Sequence, residues 1–187
     1  AYLQPTPCFN YLLPISKKMV YALFFIVLVQ MKIQAQIKNI NTGNIYTTIQ
    51  SAIDDVTTLD GHTITVLAGV YAENIVVSKS VSILGPNANV DPCSGIRAAE
   101  AIIFSGLSSV STAEIFHVAA SNVTIQGFTI DGDNTTLMSG FLGTNGADLD
   151  AAEGVTVYET GVNNLKVSNN IFQNLSYFGV TLYDFPA

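Results

Sequence analysis

The chain has 187 residues, with seven basic and fourteen acidic side chains and a formal net charge of −7 at pH 7. Because phosphate binding needs clustered Lys and Arg, this acidic balance excludes nucleic acid as an expected partner. Hydrophobic residues make up 49% of the chain and come in short runs, which is typical of a β-rich globular domain and not of a disordered chain.

The first segment has the pattern of an export signal. Lys17 and Lys18 precede the apolar run Met19–Val29, and the small residue Ala35 follows. This pattern predicts a signal peptide over residues 19–35, cleaved after Ala35. The apolar run is shorter than the roughly 20 residues that span a bilayer, so we expect no stable membrane insertion once the signal is removed. A membrane anchor is the alternative.

The domain boundaries follow from this signal. Residues 1–18 lie upstream of it and are expected to be a non-native segment. The mature region, residues 36–187, keeps four basic and all fourteen acidic residues, a net charge of −10. It breaks off just after a strand-like run, which predicts the N-terminal part of a longer domain. Cys93 is the one cysteine of this region, and we expect it to be a bystander.

A short helix is predicted near the start of the mature region. Ile49, Ile53 and Val56 are spaced four and three residues apart, which is the period of an amphipathic helix. Thr47 or Thr48 is the expected N-cap. We expect this helix to cover the open end of the strands that follow, where unpaired edges would otherwise be exposed.

The strands after the helix repeat at a fixed period. Val81, Val123 and Leu165 are 42 residues apart from one to the next, and each begins an apolar-polar-apolar triplet. The fifth residue of each repeat is of a type that readily adopts the left-handed backbone conformation, which predicts the same bend three times. These bend residues are Gly85, Gly127 and Asn169.

A second, shorter repeat indicates the length of one coil. Residues 154–159 match residues 179–184 at an offset of 25. The 42-residue spacing is then one coil plus a long loop, at 86–101 and 131–152; two coils per period is the alternative. Short strands at a fixed period predict a solenoid with apolar columns along its core. The expected columns are Val81, Val123 and Leu165, and Ile83, Ile125 and Val167.

The opening of the mature region also resembles a known family. The segments 46–54, 63–66, 69–73 and 81–85 look like the first coils of pectin-lyase-like β-helix proteins, which include the pectin methylesterases. The resemblance covers about residues 44–185. It implies an all-β fold: a right-handed parallel β-helix with a short N-terminal capping helix. An antiparallel sandwich is the rival fold, and it does not predict bends that recur in register.

The resemblance is specific for the fold and weak for the activity. Gly69, Tyr71 and Glu73 match a pectin methylesterase pattern that lies outside the catalytic centre, and we expect Tyr71 and Glu73 to tie the first coil to the helix. The catalytic motifs of that family are absent from the sequence. We therefore expect a secreted or cell-surface module that binds extracellular polysaccharide or serves in adhesion. The alternative is a carbohydrate lyase, esterase or hydrolase with its catalytic residues in later coils.

The strongest candidate ligand site is an outward column of rings and carboxylates. Tyrosines one coil apart offer rings to sugars, and two carboxylates one coil apart lie roughly 5 Å from each other at strand spacing. Such a carboxylate pair raises the pKa of one member and suits acid–base work. The candidate residues are Tyr158, Glu159, Tyr183 and Asp184.

A second candidate site is the acidic loop, with carboxylates that suit Ca²⁺, a cation that takes six to eight oxygen ligands. The candidate ligands are Asp131, Asp133, Asp148 and Asp150. A solvated acidic loop is the alternative, since the spacing matches no known calcium motif. His117 is expected to point outward as a solvated surface residue.

Overall fold

A computed structural model describes residues 36–93 and 95–183 of the chain. The predicted upstream segment and signal peptide, residues 1–18 and 19–35, lie outside the described residues, as does Asp184. The described part is mostly β, with fourteen strands and one α-helix. Within it, no helix has both the length and the hydropathy needed to cross a lipid bilayer.

Most of the strands have two to four residues, and three longer ones belong to a single sheet. In chain order the elements are β1 (Ile37–Asn39), β2 (Ile45–Tyr46), α1 (Ile49–Asp54), β3 (Thr63–Val66), β4 (Gly69–Ala72), β5 (Ile75–Val77), β6 (Ser82–Leu84), β7 (Ala101–Phe104), β8 (Ser109–Val118), β9 (Thr124–Gln126), β10 (Thr129–Asp131), β11 (Ala151–Val157), β12 (Lys166–Ser168), β13 (Ile171–Gln173) and β14 (Leu175–Leu182).

The strands form three sheets that the chain enters in rotation. The first sheet has the order β12-β9-β6-β3-β1-β2, the second β13-β10-β7-β4, and the third β14-β11-β8-β5. The pairings among β3 to β14 are parallel. β1 pairs antiparallel with β2 and with β3. β1 and β2 were not predicted, because strands of two or three residues show too little alternation to be recognised.

The registers confirm both predicted repeats. In the first sheet Ile125 lies opposite Ile83 on one side and Val167 on the other, which is the 42-residue period. In the third sheet Val155 lies opposite Val180, which is the 25-residue period. Each period therefore takes the chain from one strand of a sheet to its neighbour. Over each 42 residues the chain passes once through all three sheets and includes one long loop.

Apolar side chains from all three sheets form a continuous core. Burying each valine or isoleucine side chain stabilises the fold by about 1.5–3 kcal/mol relative to exposure. Of the six residues predicted to line the core, four are buried: Val81, Ile83, Val123 and Ile125. Leu165 and Val167 pack against this core but are only partly buried, because β12 is the outermost strand of the first sheet.

The capping helix is present, but it is shorter than its pattern predicts. The Thr48 side chain caps α1 by accepting a hydrogen bond from the Ser51 backbone N–H at 3.1 Å. Ile49 and Ile53 are buried as expected, whereas Val56 is 88% exposed. The expectation for Val56 was wrong because the helix ends at Asp54, before the residue can turn to the core.

Glu73 joins the first strands to the helix, as predicted. Its two carboxylate oxygens accept hydrogen bonds from the Ile49 and Gln50 backbone N–H groups at 3.0 and 3.1 Å. These N–H groups lie in the first turn of α1, where they have no partner within the helix. Burial raises the pKa of Glu73 although the two donors oppose the shift. The Tyr71 hydroxyl instead donates to the Leu67 carbonyl at 2.8 Å, so its bond stays local.

The predicted left-handed bends are present at two of the three positions. Gly127 has φ of 82° and Asn169 has φ of 57°. Gly85 has no positive φ, so this expectation was wrong, and glycine is needed there for a different reason. A Cβ at Gly85 would come within 2.9 Å of the Gly127 backbone, so the two backbone segments approach too closely for any side chain.

Candidate functional site

The predicted column of rings lies at one end of the third sheet. Tyr158 follows β11 directly and Tyr183 follows β14. Because Val157 pairs in register with Leu182, the two tyrosines lie side by side. Their rings stack with centroids 4.6 Å apart and planes 18° apart. The structure thus brings together two of the predicted residues.

His117 extends this stack on the other side. It lies on β8 opposite Thr156, and its ring centroid is 5.3 Å from that of Tyr158. Since β8 and β14 flank β11, Tyr158 is held between the other two rings. We call His117, Tyr158 and Tyr183 the ring ladder. Tyr158 has both ring faces covered, whereas Tyr183 is 37% exposed and is the tyrosine that a ligand can reach.

A buried carboxylate holds the two tyrosines in place. Glu153 is 4% exposed and accepts hydrogen bonds from the hydroxyls of Tyr158 at 3.2 Å, Thr181 at 2.8 Å and Tyr183 at 2.9 Å. Burial and the nearby carboxylates of Glu114 and Glu153 raise the pKa of Tyr158. The hydrogen bond to Glu153 raises the pKa of Tyr183. Both phenols therefore remain protonated donors at neutral pH.

His117 joins two further carboxylates. Its Nε2 lies 2.6 Å from Glu159 Oε1 and its Nδ1 lies 3.2 Å from Glu114 Oε1. The second oxygen of Glu114 accepts a hydrogen bond from the Thr156 hydroxyl. An ionised carboxylate can accept hydrogen bonds but cannot donate them. A protonated imidazole that donates from both nitrogens therefore fits this geometry. The expectation of a solvated histidine was wrong, since the imidazole is held between two strands.

The pKa values of His117 and Glu159 shift in opposite directions. Burial lowers the pKa of His117, but the hydrogen bonds to Glu159 and Glu114 and their charges outweigh it, so the pKa is raised. Burial raises the pKa of Glu159. The hydrogen bond from His117, together with backbone hydrogen bonds and the charge of His117, outweighs burial, so the pKa is lowered. Glu159 Oε2 is buried without a hydrogen-bond partner among the described residues.

We expect the His117–Glu159 contact to stabilise the fold most at mildly acidic pH. The raised pKa of His117 gives stability that is complete below its ordinary value of 6.5 and is lost as the pH rises through the folded value. The lowered pKa of Glu159 gives stability that is complete above 4.5 and is lost as the pH falls. The contribution is therefore greatest between these two values, at about 1 kcal/mol or less for so exposed a pair.

Denaturant unfolding of the wild type and of His117→Gln at about pH 5.5 and about pH 9 checks this expectation. The difference in unfolding free energy between the two proteins should shrink at the higher pH. Other titrating groups are common to both proteins and cancel. The same difference at both values would contradict the assignment of a protonated His117.

Two cavities flank the ring ladder. One of about 370 Å³ lies beside Tyr183 and is lined also by Glu159 and by residues 160–165 of the turn that follows. The other, of about 180 Å³, lies on the opposite side and is lined by residues of β5 and β8 that include Glu114 and His117. The ladder with its carboxylates thus forms the centre of a longer strip across the third sheet.

The four aspartates of the second predicted site lie at the ends of the long loop between β10 and β11 and stabilise its conformation. Asp131 accepts hydrogen bonds from the side-chain amides of Gln173 and Asn174 at 2.6 and 2.7 Å. Asp148 accepts from two backbone N–H groups and a serine hydroxyl. Asp150 is buried and accepts from the Asn134 backbone N–H at 3.1 Å.

The carboxylates of this loop lie close enough to influence one another. Burial, with a further contribution from the charges of Asp131, Asp150 and Asp148, raises the pKa of Asp133. Within residues 36–93 and 95–183, however, no group of three or more His, Cys, Asp or Glu side chains is arranged to hold a metal ion. Calcium binding stays a prediction from the sequence.

Sequence reasoning missed Glu114 and Glu153 as members of the site. A usable signal was present, because polar partners in this fold are repeatedly 42 residues apart. Glu114 and Thr156, and His117 and Glu159, are separated by this interval. The same holds for polar pairs elsewhere in the fold, among them Gln126 with Ser168, Asn122 with Asn164, and Asp131 with Gln173.

Comparison with known proteins yields one curated relative. No protein-family model matches the chain, and no solved structure matches it. A cell surface glycoprotein from Methanothermus fervidus is 36% identical over 134 residues, which are 72% of this chain and 18% of that protein. The chain therefore spans less than a fifth of the length of the curated relative that it matches.

Proposed function

We propose that the chain forms a right-handed parallel β-helix of the pectin-lyase-like kind. The rotation of the chain through three sheets and the parallel pairing of β3 to β14 support this fold. Crossovers between parallel strands of one sheet are right-handed in nearly all proteins, which supports the handedness. Glycines and asparagines at the bends support the close stacking of one coil on the next.

We further propose that this β-helix belongs to a cell-surface protein and binds a neutral extracellular polysaccharide. The relative with the name cell surface glycoprotein supports the location. The ring ladder on the outer face of the third sheet is the single observation that carries the binding proposal. It combines a reachable tyrosine, fixed hydroxyls and carboxylates within one strip.

The ladder offers the contacts that sugars use. Tyr183 presents an aromatic surface, held in a fixed orientation by its bond to Glu153 and its stacking on Tyr158. Preorganised rings lose little conformational entropy on binding. Glu159 lines the larger cavity beside Tyr183, where its carboxylate is an acceptor for a sugar hydroxyl.

The charge of the strip favours a neutral ligand. Glu114, Glu153 and Glu159 outnumber the single cation, His117, and the mature region carries ten more acidic than basic residues. An anionic polysaccharide would be repelled at this face. The hydroxyls of a neutral sugar can donate hydrogen bonds to the carboxylates, and to the tyrosine hydroxyl oxygens whose own protons are donated to Glu153, without such a penalty.

Binding of a panel of neutral and anionic polysaccharides, measured by affinity electrophoresis and calorimetry, tests the proposal. We expect the wild type to bind a neutral polysaccharide and Tyr183→Ala to bind it about fivefold more weakly, since one aromatic contact contributes about 1 kcal/mol. Tyr177→Ala is the matched control: Tyr177 lies on the same strand and is 58% exposed, but it is outside the ladder.

Equal losses in the Tyr183 and Tyr177 variants would place the binding surface elsewhere on the strand. Binding of anionic polysaccharides in preference to neutral ones would contradict the charge argument. Failure of the wild type to bind any member of the panel would overturn the binding proposal and leave the ladder as a structural feature.

A further inference from the structure

The smaller of the two cavities beside the ring ladder has apolar walls. It lies on the outer face of the third sheet, and we call it the Leu107 cavity. Val76 on β5 and Ala113 on β8 line it together with Leu107. Val76 is 45% and Leu107 63% exposed, so these apolar side chains are open to a ligand. Such an exposed apolar hollow, rimmed by polar groups, is typical of a binding surface.

The size of the Leu107 cavity suits a substituent of a sugar better than a whole sugar ring. Its volume of about 180 Å³ equals that of about six water molecules in the liquid. A hexose has twelve non-hydrogen atoms and would extend well beyond it. A substituent of four or five non-hydrogen atoms on a sugar ring does fit.

The polar groups of the cavity favour a substituent that donates one hydrogen bond. The side chain of Asn74 is already engaged with Ser105, Gly106 and the Glu114 carbonyl. Glu114 is among the residues that line the cavity, and an ionised carboxylate has about four acceptor positions, of which His117 and Thr156 occupy two. An acceptor beside a small apolar hollow suits a group with one N–H and one methyl.

We propose that the Leu107 cavity receives the acetamido group of an N-acetylated sugar, one unit of the polysaccharide that binds the ring ladder. The methyl group contacts Val76 and Leu107, and the amide N–H donates to Glu114. This inference rests on the proposed polysaccharide-binding function and specifies its substrate class.

The position of the cavity supports one continuous ligand. His117 belongs both to the lining of the Leu107 cavity and to the ring ladder, so the two share a side chain. β5, β8, β11 and β14 are consecutive strands of one sheet, and four strands at roughly 4.8 Å spacing extend over about 15 Å. A short oligosaccharide laid across the strands therefore reaches from Tyr183 to the cavity.

Two soluble β-1,4-linked hexasaccharides that differ in the acetamido group test the inference. We expect the wild type to bind N-acetylchitohexaose about tenfold more tightly than cellohexaose, the size of effect that a small group in an apolar pocket gives. In Val76→Thr, which puts a hydroxyl in place of a methyl in the cavity wall, this preference should be lost.

Val70→Thr is the matched control. It introduces the same substitution on β4 of the second sheet, where Val70 is 60% exposed, so it reports any general effect of replacing an exposed valine with threonine. It should keep the tenfold preference. Equal affinity of the wild type for both hexasaccharides, or an undiminished preference in Val76→Thr, would overturn the acetamido assignment while leaving polysaccharide binding intact. Failure to bind either hexasaccharide or any polysaccharide of the wider panel would overturn both.

Discussion

Replacing Gly127 with alanine should lower the free energy of unfolding by about 3–5 kcal/mol, at the upper end of the effects of single substitutions. Two penalties combine at this position. The positive φ of 82° is unfavourable for any residue with a Cβ. In addition, a Cβ would overlap the backbone of the neighbouring coil, 2.5 Å from Ala88 Cα, and backbone cannot move aside as a side chain can.

Gly140→Ala separates these two penalties. Gly140 also has a positive φ, of 76°, but a Cβ there has no atom within 4 Å. Its substitution should therefore cost only the backbone strain, about 1–2 kcal/mol. Urea unfolding followed by circular dichroism measures both variants. Equal losses would show that the close approach of the two coils at Gly127 is not what requires glycine.

Replacing Glu153 with alanine should be the most damaging change in and around the ring ladder. The hydroxyls of Tyr158, Thr181 and Tyr183 all donate to this buried carboxylate, and hydrogen bonds to charged groups each contribute about 1.5–3 kcal/mol. The hydroxyls regain bonds to water in part, so we expect a net loss of about 3 kcal/mol. The tyrosine signal in near-ultraviolet circular dichroism should fall as the rings lose their fixed orientation.

Glu153→Gln keeps the shape and one acceptor oxygen, and it should lose less stability than the alanine variant. It should also retain most of the tyrosine signal. If both variants unfold at the wild-type denaturant concentration, Glu153 does not hold the ladder together. If the alanine variant is destabilised but keeps the full tyrosine signal, the stacking of the rings is independent of the carboxylate.

Much of the strand arrangement follows from the spacing of apolar residues along the chain. The 42-residue and 25-residue repeats predicted which strands are neighbours, because parallel coils place equivalent residues side by side. The pattern did not distinguish the two reasons for a glycine at a bend. Gly127 has the left-handed φ and Gly85 does not, and only the three-dimensional structure shows that Gly85 lies against the backbone of Gly127.

The candidate site was predicted in part, for a physical reason that its residues make clear. Tyr158 and Tyr183 belong to a repeat and were found by it. Glu114 and Glu153 do not recur in the sequence, and they lie opposite each other at an offset of 39 residues because the register shifts between Ala151 and Glu153. The 42-residue period therefore does not pair these two carboxylates, although it does relate Glu114 to Thr156. His117 was correctly placed on the outer face, but its bond to Glu159 depends on a turn that the repeat does not describe.

The long loop between β10 and β11 begins and ends at nearly the same point. The Gly132 carbonyl accepts hydrogen bonds from the backbone N–H groups of both Asp150 and Ala151, at 2.7 and 3.1 Å. The loop is thus closed at its base, and its length has little effect on the strands on either side. The entropic cost of a longer loop grows only slowly, by about 0.6 kcal/mol for each doubling. Its exposed tip, between Thr144 and Asn145, is accordingly a natural position at which to graft a foreign peptide for display on this scaffold.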